Sequence, residues 1–215
     1  MRPAYGTTLP AAAPARNEAA PVLQEPLPLQ GTRETGSLLS RWFQHLDPDR
    51  CFTVLDLAGA QPATMQLLSG YRCKVYCADV LDDLCVPDKV SLADAARLFD
   101  ERLAFIGDGV IDYCLLWDYP NYLPPPLLTV FARRLQGFLH VGSRMHLFAA
   151  MHGRSQLSPW RYSIESADTL LRKTVRRSLP GYPHTQMEVV DAMEYVRLDR
   201  GALRDGRVEV LLECV

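Results

Sequence analysis

Three carboxylates stand where apolar runs end: Asp56 in "VLDLAGAQPA", Asp79 in "VYCADV" and Asp118 in "LLWDYPNYL". A carboxylate fixed at such a point accepts hydrogen bonds only while ionised, so it can hold a vicinal diol or a polar nitrogen. The spacing from Asp56 to Asp79 is close to the roughly 20 residues that separate turn and acid in dinucleotide-binding units. Asp79 reads equally as a loop Asp that caps nearby N–H groups. "WDYPNYL" reads first as a turn, with Tyr119 and Tyr122 packing over it as lids.

Other residue types with chemical potential are scattered. His140 and His146 fall on one face of a predicted strand and His152 in the loop after it. No carboxylate or Cys is placed beside them, so they read as surface or edge histidines. Cys51, Cys73, Cys77, Cys85, Cys114 and Cys214 include no CxxC pair. They read as free thiols, and no metal site is expected. Arg172, Lys173, Arg176 and Arg177 form a basic cluster, either a solvated face or a contact for an acidic partner. Asp108 in "IGDGV" reads as a turn.

The elements that must position these groups follow from periodicity. Phe52 to Ala58 is an apolar run suited to a strand buried on both faces, and Pro62 opens a helix that closes at Gly70. "CKVYCADV" is a second strand. "SLADAARLFDERLAFI" has a Ser91 cap and an apolar helical face, and "VIDYCLLWD" is the most hydrophobic strand candidate. A helix from about Pro125 to Gln136 and the strand "HVGSRMHLFAAM" follow. Beyond these, "SIESADTLLRKTV" is expected to be a helix, "RRSLPGYPH" a loop and "TQMEVVDAM" a short helix. "EYVRLDR" and "RVEVLLECV", joined through "GALRDG", form an antiparallel hairpin.

Residues 1–33 are rich in Ala and Pro with little apolar periodicity, and are expected to be a disordered tail. The α/β domain spans 34–215 and opens with the amphipathic helix "GSLLSRWFQHLDPD". A hydrophobic content of 48% in 215 residues suffices for one sizeable core. A net charge of −2 gives no electrostatic footprint for nucleic acid or an anionic membrane. No apolar run approaches the roughly 20 residues of a membrane span, and the first residues lack the continuous apolar segment of a signal peptide. A cytoplasmic protein is expected.

Strands alternating with helices predict a Rossmann-like, doubly wound, mostly parallel sheet with helices on both faces. Its ligand would sit at the carboxyl ends of the strands, which brings the loops after Ala58, Asp79 and Trp117 together. With "VLDLAGAQPA", "VYCAD", "IDYCLLWDYPNYL" and the closing hairpin, residues 50–215 resemble the class I S-adenosylmethionine-dependent methyltransferase family. The resemblance implies about seven strands, the last antiparallel, and S-adenosylmethionine as cofactor.

It also implies roles for particular residues. Asp56, Ala58, Gly59, Ala60, Asp79 and Trp117 would line the cofactor, with Asp79 holding the ribose. Asp118 and Tyr119 would face an unidentified methyl acceptor, since "WDYPNYL" shares Asp118 and Pro120 with the Asp-Pro-Pro-Tyr motif of amino-group methyltransferases. The family's alternating glycines fall on Ala58, Ala60 and Pro62, all substituted, with Gly59 between them. Three functions follow: a methyltransferase, a non-catalytic binding or scaffold protein of the same fold, or a nicotinamide-nucleotide enzyme. The last is disfavoured because its glycine fingerprint is no better met.

Overall fold

The computed structural model describes residues 31–44, 46–47, 49–79, 90–175 and 179–215. Most of the expected tail lies outside these residues, as do Cys85, Arg176 and Arg177. Among them no helix is long and apolar enough to cross a membrane.

The main sheet is built from β2 (Phe52–Asp56), β3 (Cys73–Cys77), β4 (Ile111–Trp117), β5 (Leu139–Ala150), β8 (Val196–Arg204) and β9 (Arg207–Cys214), in the order β3-β2-β4-β5-β9-β8. The pairs β2·β3, β2·β4 and β4·β5 are parallel, while β9 runs antiparallel to both neighbours. The last strand is therefore antiparallel, as expected. Six strands of this sheet lie among the described residues, and the expected count of about seven is not reached there.

The central strands form the core, because both of their faces are covered. Leu55, Cys114, Leu115, Leu116 and Leu147 are fully buried. On one face lies α1 (Leu39–Gln44), whose Trp42 meets Tyr113 of β4 edge-on at 4.7 Å. On the other lie α3 (Leu92–Leu103) and α4 (Pro125–Gln136), joined through Phe99 and Phe131 at 5.4 Å. Ser91 caps α3 as read from the sequence, accepting from the Asp94 amide.

The helix α5 (Gln186–Ala192) begins at a complete capping box: Thr185 accepts from the Glu188 amide and the Glu188 carboxylate accepts from the Thr185 amide. Replacing Thr185 by Ala is expected to cost about 1 kcal/mol. Urea denaturation of the two proteins checks this.

The expected helix over "SIESADTLLRKTV" is instead a β-hairpin of β6 (Trp160–Ser166) and β7 (Thr169–Thr174). Asp168 Oδ1 accepts from the hydroxyls of both Ser166 and Thr169 at 2.9 Å, which sets the two-residue turn. Tyr162 and Ile164 are buried together with Leu170 on β7, across the antiparallel register of the two strands. The short apolar run fits both periods, and packing of β6 on α2 (Pro62–Leu68) decides between them. A three-residue strand, β1 (Thr32–Glu34), pairs antiparallel with β7 and begins inside the segment expected to be tail. The order of this second sheet is β1-β7-β6.

The closing hairpin also turns more tightly than expected. Strand β8 runs to Arg204, and Asp205 and Gly206 alone make the turn, both at positive φ.

Candidate ligand crevice and the cavity beside it

The parallel strands carry Asp56, Asp79 and Asp118 to one end of the sheet, as the sequence implied. Asp56 closes β2 and is buried. Its Oδ1 accepts from the Ala58 amide at 2.9 Å and from the Trp117 indole N–H at 2.7 Å, while Oδ2 has no hydrogen-bond partner. Burial pushes this carboxyl up to about 7, and the hydrogen bonds from Trp117 and Ala58 only partly oppose it. Asp56 Oδ1 thus holds the turn to Trp117.

The turn itself needs its one glycine. Gly59 has φ +74°, and a Cβ there would meet the Asp79 side chain at 3.4 Å. Ala58 and Asp79 bridge across the turn, and Gln61 donates from its side-chain amide to the Ala58 carbonyl at 3.0 Å. Ala60, exposed, follows the glycine.

Asp79 lies beside Gly59, but its carboxylate is in an ion pair with Arg161 of β6. Next to that pair, Tyr162 stacks face to face on Trp117, with centroids 5.0 Å apart and planes 3° apart. Trp117 adopts φ +54°, a conformation that costs a bulky residue about 1–3 kcal/mol. The Asp56 hydrogen bond and the Tyr162 stack hold it there. Between Leu57, Ala58, Asp79, Trp117, Arg161 and Tyr162 a cavity of about 10 Å³ is left. That is room for about one water. In this conformation that space is too small for an adenosyl group.

On the far side of Tyr162 a larger cavity of about 260 Å³ opens, with Asp118, Phe148, Trp160, Arg172 and Arg207 on its walls. This is near the small end of ligand-pocket volumes. Burial pushes Asp118 up to about 7; the Arg207 charge and hydroxyls from Tyr162 at 3.3 Å and Tyr122 at 3.4 Å oppose the shift. A carboxyl in a cavity wall with this value can exchange a proton near neutral pH. Asn121 braces the wall, donating to the Phe148 carbonyl at 2.8 Å and accepting from the His184 amide at 2.9 Å.

Tyr119, expected to face an acceptor with Asp118, packs its ring against Phe131 of α4 at 5.1 Å. The Tyr122 hydroxyl donates to Asp118 at 3.4 Å. Asp108 precedes β4 and so stands at the opposite end of the sheet from the crevice. His146 is not a surface or edge histidine: it is fully buried, and its Nε2 donates to Glu209 of β9 at 2.9 Å. The expectation failed because the partner carboxylate is supplied by a strand far along the chain. Arg172, read as part of a basic cluster, faces Glu34 at 2.8 Å and the Trp160 ring at 4.7 Å, whereas Lys173 is exposed.

Arg161, Tyr162, Arg207 and Glu209 were not singled out by sequence reasoning. Arg161 and Tyr162 fall just before the expected helix that starts at Ser163, in a stretch for which no element is expected. For Glu209 a weak signal existed, an acid set among the apolar residues of "VEVLLECV", which also holds Glu213.

No protein-family model matches the chain, and no curated protein matches it. Solved structures similar to it are S-adenosylmethionine-dependent methyltransferases. One is a 1,6-didemethyltoxoflavin-N1-methyltransferase of Burkholderia thailandensis with bound 1,6-didemethyltoxoflavin and S-adenosylhomocysteine, at 16% identity over 82% of this chain and 76% of that one, TM-score 0.45. The glycopeptide N-methyltransferase MtfA, complexed with S-adenosylmethionine, is 14% identical over 84% of this chain and 95% of its own, TM-score 0.44. A methyltransferase of Clostridium acetobutylicum is 10% identical over 76% and 84%, TM-score 0.45. At such identities and scores these are likenesses only; the fold described above stands on its own strand order and register.

Proposed function

We propose that the chain is an S-adenosylmethionine-dependent methyltransferase-like protein whose crevice at the ends of β2, β3 and β4 is shut by its own β6–β7 hairpin. The observation that carries this reading is the placement of Asp79 beside the Gly59 turn, with the Arg161 guanidinium on the carboxylate that would otherwise take a ribose diol. Displacing the hairpin frees that carboxylate and the space over Trp117. The cavity beside Asp118 is then the place for an acceptor, whose identity is not assigned.

The second reading is a non-catalytic binding protein of the same fold, favoured by the residual crevice volume of about 10 Å³. If the open state is a small fraction of the population, the apparent dissociation constant rises by the inverse of that fraction. The two readings therefore differ in what Arg161→Ala does. On the first, S-adenosylhomocysteine at 100 times its dissociation constant stabilises Arg161→Ala by about 2.7 kcal/mol, a melting shift of about 5–10 °C, and the wild type by less. No shift of either protein at millimolar ligand sinks the adenosyl reading and leaves the second.

A further inference from the structure

We infer that residues 31–38 are an autoinhibitory strap: they clamp the β6–β7 hairpin to the main sheet and so keep the crevice at Asp79 closed. The strap is bonded to both bodies at once. Toward the hairpin, β1 adds a third strand along β7, pairing Thr32 with Arg172 and Glu34 with Leu170. Arg33 donates both arms of its guanidinium to Glu165 of β6, at 2.6 and 2.7 Å, and the Ser37 amide donates to the Asp168 carbonyl in the hairpin turn at 3.1 Å.

Toward the main sheet, the Glu34 carboxylate pairs with Arg207 of β9 at 2.5 Å and the Thr35 carbonyl accepts from Arg204 of β8 at 2.9 Å. The Ser37 hydroxyl and the Leu38 amide both donate to Glu209 of β9. Glu34 is the joint between the two sets, since its other oxygen faces Arg172 of β7 at 2.8 Å. Its side chain is 9% exposed, against 69% for Arg33. An exposed pair such as Arg33–Glu165 holds little, so the enclosed Glu34 pairs set the strength of the clamp.

Without the strap, the hairpin keeps its own hold on the closed position through Arg161–Asp79, the Tyr162 stack and the bond from the Ile164 amide to the Thr64 hydroxyl at 2.9 Å. It loses a strand along β7 and the counter-charge shared by Arg172 and Arg207. The consequence is a larger open fraction, and apparent affinity for a crevice ligand rises in proportion. The strap itself rests only on this geometry; the identity of that ligand rests on the reading proposed above.

Hydrogen exchange by mass spectrometry on the full chain tests the strap, comparing wild type with Glu34→Ala and the isosteric Glu34→Gln. Amides of residues 160–174 are expected to exchange about tenfold faster or more in both variants, with α3, α4 and β4 unchanged, as a loss of about 1.4 kcal/mol confined to the hairpin requires. Unchanged hairpin protection in both variants overturns the strap, and so does an equal loss of protection in every element. S-adenosylhomocysteine binding is measured in parallel. Faster hairpin exchange without any binding keeps the strap and defeats the adenosyl reading. Binding by Arg161→Ala, with hairpin protection at the wild-type level in the Glu34 variants, does the reverse.

Discussion

Replacing Glu209 by Ala is expected to lower the stability of the folded chain by about 3–5 kcal/mol, the cost of removing one partner from a buried charge cluster. Glu209 is fully buried on β9, and every neighbour that meets it comes from elsewhere in the chain. The Ser37 hydroxyl and Leu38 amide donate from the start of α1, His146 Nε2 from β5, and the Arg204 guanidinium lies at 2.5 Å from β8. Burial alone would push this carboxyl up, yet the His146 bond, followed by those of Ser37 and Leu38, brings it down to about 2. Alanine leaves a buried imidazole N–H, a backbone N–H and a guanidinium facing an apolar gap. Glu209→Gln keeps one acceptor for the Ser37, Leu38 and His146 donors but turns an N–H donor toward Arg204, so its loss is smaller than that of alanine without vanishing. The pair Arg197–Glu213, with Arg197 65% exposed, supplies the control: Arg197→Ala changes stability by less than about 1 kcal/mol. Urea denaturation of the four proteins decides the matter, and a loss below 1 kcal/mol in Glu209→Ala would remove this cluster from the forces that hold the fold.

The second large effect is on the pH dependence of stability, which runs against the usual direction above pH 4. Asp56 and Asp118 rise from 3.8 to about 7 on folding, each because burial penalises the charged form. Between those values the folded chain holds more protons than the unfolded one, so stability falls as pH rises through the window. At 1.36 kcal/mol per pH unit and group, the loss from pH 4 to pH 7 is roughly 4 kcal/mol for each carboxyl. Glu209 moves the other way, from 4.5 to about 2, and its contribution is present above pH 4.5 and lost as pH falls toward 2. These three groups together place the maximum just below pH 4. Melting temperatures from pH 4 to pH 8 at fixed ionic strength should decline toward pH 8. Asp56→Asn, which mimics the neutral side chain, should flatten the decline, raising the melting temperature most at pH 8 and by less at pH 5. A wild type more stable at pH 8 than at pH 5 contradicts the argument.

Much of this architecture was legible because it rests on local signals. The Ser91 cap with the apolar face from Leu92 to Leu103 specifies α3 without help from the rest of the chain, as the proline-led run from Pro125 does for α4. The apolar strands that follow Arg50, Arg72 and Asp108 read correctly for the same reason, and so does the closing hairpin. With the strands in parallel order, Asp56, Asp79 and Asp118 had to emerge at one end of the sheet. The segment from Ser163 to Val175 misled because its apolar residues suit a helix as well as a strand, and the deciding partners are the distant β1 and α2.

The alternating α/β layout and the meeting of three acids at the strand ends follow from local pattern, because periodicity, caps and crossover handedness act over short spans. The tertiary structure alone decided the state of that site. Arg161 reaches Asp79, Tyr162 covers Trp117, Glu34 joins Arg172 to Arg207, and Ser37, His146 and Arg204 converge on Glu209. Apart from Arg204–Glu209, which meet across the closing hairpin, these contacts link residues far apart along the chain, and side-chain charge or aromatic character carries no address. Only the register of β9 against β5 and of β7 against β1 and β6 brings them within bonding distance, so whether the crevice stands open or closed is a property of packing rather than of any motif.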